Sequence, residues 1–231
     1  MIFPRLTVVE KIILLFAAVA IATGIFLFYT NVAHFEEYVK EDGIVEWLTV
    51  GGLLLGSFVC FSRLVILWNK RSRWFLLVTF GLGLFLFFAA GEEISWGQRI
   101  FGLKTPEYFE EHNAQHETNL HNLVVDGVKL NKLIFSILLV GALAIFLLIV
   151  PLLYQKNNWT RKFLDRSAVP VPQFYQVLGF VLVFMLTNII RDGKNAELFV
   201  AGMNLVGLAF SSTGDLAIAS TDSVYQLSVE T

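Results

Sequence analysis

Glu92 and Glu93 stand side by side, Arg99 follows them, and His112, His116 and His121 come soon after, so three of the four histidines fall in one segment. These residue types move protons, hold metal ions and orient anions. A carboxylate in dry surroundings has its ionised form disfavoured by desolvation and by a like-charged neighbour, which suits a general base or a shared proton. His112 and His116 are four apart and would share a face on a helix, the spacing by which two imidazoles hold one zinc ion. His121, Glu92 or Glu93 would then supply a third ligand and leave a position for water, as hydrolytic zinc requires. The catalytic candidates are therefore Glu92, Glu93, Arg99 and His121. The metal candidates are His112, His116, His121 and Glu93, with zinc as the implied cofactor. The same residues also admit a structural reading, with Arg99 bridging to Glu92 or to another acid at a helix end and the histidines solvated in a loop.

These residues must be placed by very apolar elements. The chain has 231 residues, is 56% hydrophobic with 22 Phe, and has a mean hydropathy of +0.67, the composition of an integral membrane protein. A spanning helix needs about twenty largely apolar residues. Six runs fit: Ile12 to Tyr29, Ile44 to Trp68, Trp74 to Ala90, Leu133 to Tyr154, Phe174 to Ile190 and Ala196 to Ser211. Trp47, Trp68, Trp74 and Trp96 sit at the ends of these runs, where an amphipathic ring prefers the headgroup level. The expected fold is all-α, a polytopic bundle of about six transmembrane helices. It would form a single domain over 1–212, with an outer loop at 91–132 and a loosely ordered tail at 213–231. The N-terminal run continues past Ala20-Ile21-Ala22 through Ile25 to Phe28 and reads as a retained helix, not a cleaved signal.

Basic residues set the orientation. Arg5, Lys11, Arg63, Lys70, Arg71, Arg73, Lys156, Arg161, Lys162 and Arg166 fall on one side, which makes that side and both termini cytoplasmic in, we expect, a bacterial inner membrane. The opposite side gathers His34, Glu46, Glu92, Glu93, Arg99, the three later histidines, Asn188, Arg191, Asp192 and Glu197. A net charge of -2 without a basic stripe gives no means of neutralising phosphates and excludes a nucleic-acid binder. Cys60 is the single cysteine and reads as a small packing residue.

Three local expectations follow. If the third helix continues past the membrane, Glu92, Ser95, Trp96 and Arg99 share a stripe. Thr105-Pro106-Glu107 starts a short helix, with Pro at its first position. On the second helix Glu46, Thr49, Gly52, Gly56 and Cys60 form a small-residue arc, which turns Glu46 into the bundle and offers Gly52 and Gly56 as a contact for another helix or a second copy.

The segments Gly91-Glu92-Glu93-Ile94-Ser95-Trp96-Gly97-Gln98-Arg99 and Glu117-Thr118-Asn119-Leu120-His121-Asn122 resemble the signature of a family of bacterial multi-pass membrane proteins. That resemblance implies the multi-pass fold and supplies no activity. In kind the chain is also similar to the CAAX-processing membrane proteases, which combine a Glu-Glu-x-x-x-Arg segment with histidines from later helices. Here five residues separate Glu93 from Arg99, and the histidines lie in a loop. A further similarity is to ceramidase-like membrane hydrolases, which hold zinc with histidines near one face of a bundle; the last two apolar runs here contain none. From the glutamates, histidines and arginine gathered at the outer face, the expected function is a Glu/His-dependent hydrolase, with metal assistance as an option, of a lipid or lipid-linked substrate at that face. The alternative is a non-catalytic subunit of a membrane complex, or a lipid- or pigment-binding protein.

Overall fold

The computed structural model describes residues 8–40, 42–125, 127–129, 139–169, 171–172 and 174–190. The described chain is mostly helical, with a two-stranded hairpin as its sheet. Helices α1 (Val8–Thr30), α3 (Ile44–Leu67) and α4 (Arg73–Glu93) belong to stretches long and apolar enough to cross a membrane by length and composition. Within the described residues the fourth and fifth expected runs hold apolar helices, at Gly141–Lys156 and Val177–Thr187, and the start of the fourth run, 133–138, lies outside the described residues. The run from Ala196 to Ser211, Arg191, Asp192 and Glu197, and the tail lie outside the described residues.

Helices α3 and α4 form the principal pair, and the small-residue arc is what lets them approach. Thr49, Gly52, Gly56, Ser57 and Cys60 are all buried. A methyl group added at Gly56 would come 3.2 Å from Leu86, and one at Gly83 would meet Cys60 and Phe61 at 3.1 and 3.0 Å. The Ser57 hydroxyl donates to the Gly83 carbonyl at 2.9 Å, a bond that needs this closeness. The Gly56–Cys60 end of the arc thus packs on α4 within the same chain. The pair is linked by the turn at 68–72, where Ser72 caps α4 by accepting from the Phe75 amide at 3.2 Å.

One feature escapes hydropathy. Asn31 breaks the chain after α1 and caps α2 (Val32–Val39), accepting from the His34 amide at 3.1 Å. This helix folds back along α1: Phe28 and Phe35 meet edge to face at 5.3 Å, and the Tyr38 hydroxyl donates to the Ala20 carbonyl at 3.1 Å. Eight residues return along α1 before α3 begins, and Leu48 of α3 packs against the cluster that Ala17, Ala20 and Ile21 of α1 form with Phe180 and Val183. Helix α10 (Phe174–Thr187) lies against α1 through Phe180 and Val183. Beyond it, Ile190 closes the cluster of Phe35, Tyr38, Val39 and Val45.

After the outer loop and a hairpin of β1 (Val124–Val125) and β2 (Val128–Lys129), the chain enters α7 (Leu139–Ala144), a π-helical stretch at Ile145–Ile149 and α8 (Val150–Lys156). Pro151 accounts for the widened turn. Its ring clashes with the carbonyl four residues back and it has no amide to donate, so the preceding turn relaxes to longer spacing. Asn157 then caps α9 (Asn158–Arg166), accepting from the Trp159 and Thr160 amides at 2.9 and 3.2 Å.

Candidate functional site

The helix carrying the two glutamates does not continue through Arg99. It stops at Glu93, and Ser95, Trp96 and Gly97 follow with φ of 47°, 55° and 76° before α5 (Gln98–Phe101). Left-handed backbone costs a non-glycine residue roughly 1–2 kcal/mol, so the break needs compensation. Trp96 supplies part of it by folding back on α4, where its indole N–H donates to Glu92 Oε1 at 2.8 Å and its ring meets Phe88 edge-on at 5.2 Å. Gly91 is required beneath it, since a Cβ there would lie 2.8 Å from the ring. The expected Glu92–Ser95–Trp96–Arg99 stripe is therefore replaced by a reversal that aims Arg99 elsewhere.

Glu92 is buried, and its partners account for both carboxylate oxygens. Trp96 occupies Oε1, while Oε2 accepts the backbone amides of Leu120 and His121 at 2.6 and 3.2 Å. The His121 ring is oriented beside it, with Nδ1 3.9 Å from the same oxygen, within ion-pair range when the imidazole is protonated. Glu93 lies within electrostatic reach of Glu92, His121 and Glu46. It has no hydrogen-bonding partner among the described residues.

Arg99 forms the second centre. Its guanidinium donates from Nε to Asp42, 3.1 and 3.0 Å from the two carboxylate oxygens, from Nη2 to Glu46 at 2.9 Å, and from Nη1 to Glu117. The planar fork of Arg suits this, because its donors point at several acceptors at once. Burial alone would lower the Arg99 pKa, but Glu117, Glu46 and Asp42 outweigh it and hold the group above its ordinary value. Glu46 also reaches back to the segment before α3, accepting the Asp42 amide at 2.7 Å. The inward direction of Glu46 agrees with the arc on which it lies. Of the structural alternatives for Arg99, the one found is pairing with other acids, not with Glu92.

A layer of amides joins the two centres. Asn119, 1% exposed, donates from Nδ2 to Ser95 Oγ at 2.8 Å and to Glu117 Oε2 at 3.1 Å. Its Oδ1 accepts from Asn113 Nδ2 at 2.9 Å and from the Asn122 amide at 3.2 Å. The Ser95 hydroxyl donates to Glu117 Oε2 at 2.5 Å. Gln98 holds the loop from the other side, donating to Thr105 Oγ1 at 2.5 Å and accepting the Thr118 amide at 2.6 Å.

The zinc site anticipated at His112, His116, His121 and Glu93 does not assemble. A short helix does form here, but α6 (Glu107–His112) starts one residue later than expected, with Pro106 as its extended N-cap, and ends at His112, so His116 is not one turn further along the same face. Thr105 does not cap it either, because its hydroxyl donates to the His116 carbonyl at 2.7 Å. The His112 ring stacks on Tyr108 at 4.6 Å and its Nδ1 meets the Tyr108 carbonyl at 2.9 Å; His116 Nδ1 lies 2.7 Å from the Glu110 carbonyl. Among the described residues no group of three His, Cys, Asp or Glu is placed to hold a metal ion. What the geometry brings together is Glu92 and His121, with Glu93 within electrostatic reach of both and Arg99 in the adjoining acid cluster. Ser95, Glu117, Asn113 and Asn119 were missed as site residues; the signal for them was the run of amides in an otherwise short-looped chain. The chain matches no family model, no curated protein and no solved structure, so the site must be interpreted from its own geometry.

Proposed function

We propose that the chain is an integral membrane protein in which His121 and Glu93 form an acid–base pair held by Glu92, acting on a lipid or lipid-linked substrate at the end of α4. The observation that carries this reading is Glu93: a carboxylate with no hydrogen-bond partner among the described residues, within electrostatic reach of a histidine whose backbone amide is held by Glu92 and whose Nδ1 lies 3.9 Å from the same carboxylate. In this scheme Glu92 is a positioning group, since its oxygens are already engaged. Glu93 takes a proton from water as it attacks the scissile carbonyl or phosphoryl group, and His121 delivers one to the leaving oxygen.

A second reading is a non-catalytic membrane protein in which these groups clamp the outer loop to the bundle. The observation that favours it is the Arg99 centre, where three carboxylates engage a single guanidinium. Purified protein incubated with radiolabelled phospholipids and lipid-linked glycans separates the two. Catalysis predicts product release that falls about 10²–10⁴-fold in His121→Ala and Glu93→Gln with unfolding temperature nearly unchanged. Activity at the blank level in the unaltered protein, with both variants less stable, leaves the clamp.

The basic residues of the α3–α4 turn and of α9 place that end in the cytoplasm in this proposal, and the loop at 91–132 on the opposite face of a bacterial inner membrane. In intact cells an impermeant maleimide is expected to label a cysteine at Lys104 and spare one at Arg161; the reverse pattern inverts the topology.

A further inference from the structure

Helix α9 lies at the other end of the α3–α4 pair from the glutamates. Trp74 Nε1 donates to Ser167 Oγ at 3.0 Å, and Ala168 packs with Leu67, Phe75 and Leu76, so the residues just after α9 are fastened to the α3–α4 turn. Arg161 fastens its other end, donating to the Tyr154 and Gln155 carbonyls at 3.2 and 3.3 Å with its guanidinium over the Tyr154 ring. The helix is therefore held in place from both sides.

Its faces differ sharply. Leu164 is buried, whereas Trp159 is 71% and Phe163 48% exposed, and their rings stack at 5.5 Å with an interplanar angle of 8°. At 3.6 residues per turn, Lys162 and Arg166 form a second row immediately beside the Trp159–Phe163 row, and both are exposed. The segments 68–73 and 156–166 together carry Lys70, Arg71, Arg73, Lys156, Arg161, Lys162 and Arg166 against one acid, Asp165. Trp68 and Trp74, both exposed, mark the same level on the long helices. Water does not favour a paired aromatic face of this kind, and a zwitterionic surface, whose phosphates are each balanced by a choline, has no net charge to attract the basic row. A surface that offers an apolar layer just beneath anionic groups satisfies both rows.

We infer that α9 is an interfacial helix that lies on the anionic leaflet of the membrane spanned by α3 and α4, inserting Trp159 and Phe163 while Lys162 and Arg166 pair with lipid phosphates. The inference rests on the integral-membrane reading, and an alkaline carbonate wash tests that reading separately: release of the protein removes both. For retained protein, the probe is amide hydrogen exchange over 158–166 in nanodiscs of phosphatidylcholine with and without phosphatidylglycerol. Exchange is expected to slow when phosphatidylglycerol is present. Lys162→Gln with Arg166→Gln should give back that protection, by about fivefold for each charge removed, and Trp159→Ala with Phe163→Ala should abolish it, while exchange in α4 stays as it was. Equal exchange in the two lipids, or protection that appears only when an acidic soluble protein is added, overturns the assignment.

Discussion

Replacing Arg99 with alanine is expected to cost about 3–5 kcal/mol of stability, the range for removing one partner of a buried charge group. The reason lies in what is left behind. Glu46 and Glu117 have side chains only 12% and 13% exposed, and they would face each other and Asp42 with no counter-charge. The loss should appear as a lower unfolding temperature in detergent and a smaller monodisperse fraction. Arg99→Lys should recover only part of it, because one ammonium cannot present the three-way fork. Adding Glu117→Gln to Arg99→Ala should recover another part by removing one of the stranded charges. If Arg99→Ala unfolds at the temperature of the unaltered protein, the loop is not held by this centre.

The second large effect is at Asn119, where one isosteric change reverses a donor. Asn119→Asp replaces the amide that donates to Ser95 and Glu117 with an oxygen and sets a carboxylate against Glu117. A buried group left without its partner costs about 1–3 kcal/mol, more when charged, and here like-charge repulsion is added. We expect a loss of at least that size, together with faster exchange of the 113–123 amides. Raising the acidity should restore part of it, since protonating the new carboxyl both removes the charge and returns a donor. A loss that does not depend on pH would mean the amide layer is not the element that joins Glu92 to Arg99.

The two kinds of information in the sequence were not equally legible. Period and composition gave α3, α4 and the arc that turns Glu46 inward, because a run of small residues on one face has few uses other than close packing. The residues at the end of α4 were also recognisable, since adjacent glutamates beside hydrocarbon need partners. Which partners they find was not recognisable, because it depends on the reversal at Ser95–Gly97. Serine and tryptophan rarely take left-handed backbone, so nothing local announces it; tertiary bonds to Glu92 and Glu117 hold it. The spacing of His112 and His116 pointed to a shared helix face, but Asn113, taking extended backbone and bonding Asn119, ends the helix between them. The fold-back of α2 was hidden for a similar reason, since Phe35, Tyr38 and Val39 are apolar enough for a short helix but too few to mark a run.

The Arg99 centre also imposes an order on synthesis. Asp42 precedes Arg99 by 57 residues and Glu46 by 53, while Glu117 follows by 18. At roughly 5–20 residues per second, the two early acids wait on the order of three to eleven seconds for their counter-charge. During that interval the head of α3 carries carboxylates that favour water, and α3 has no electrostatic reason to settle at its final depth. Its position is fixed only when α4 has emerged whole and the chain has reversed, so the head of this helix is completed by residues made after the whole of the next one.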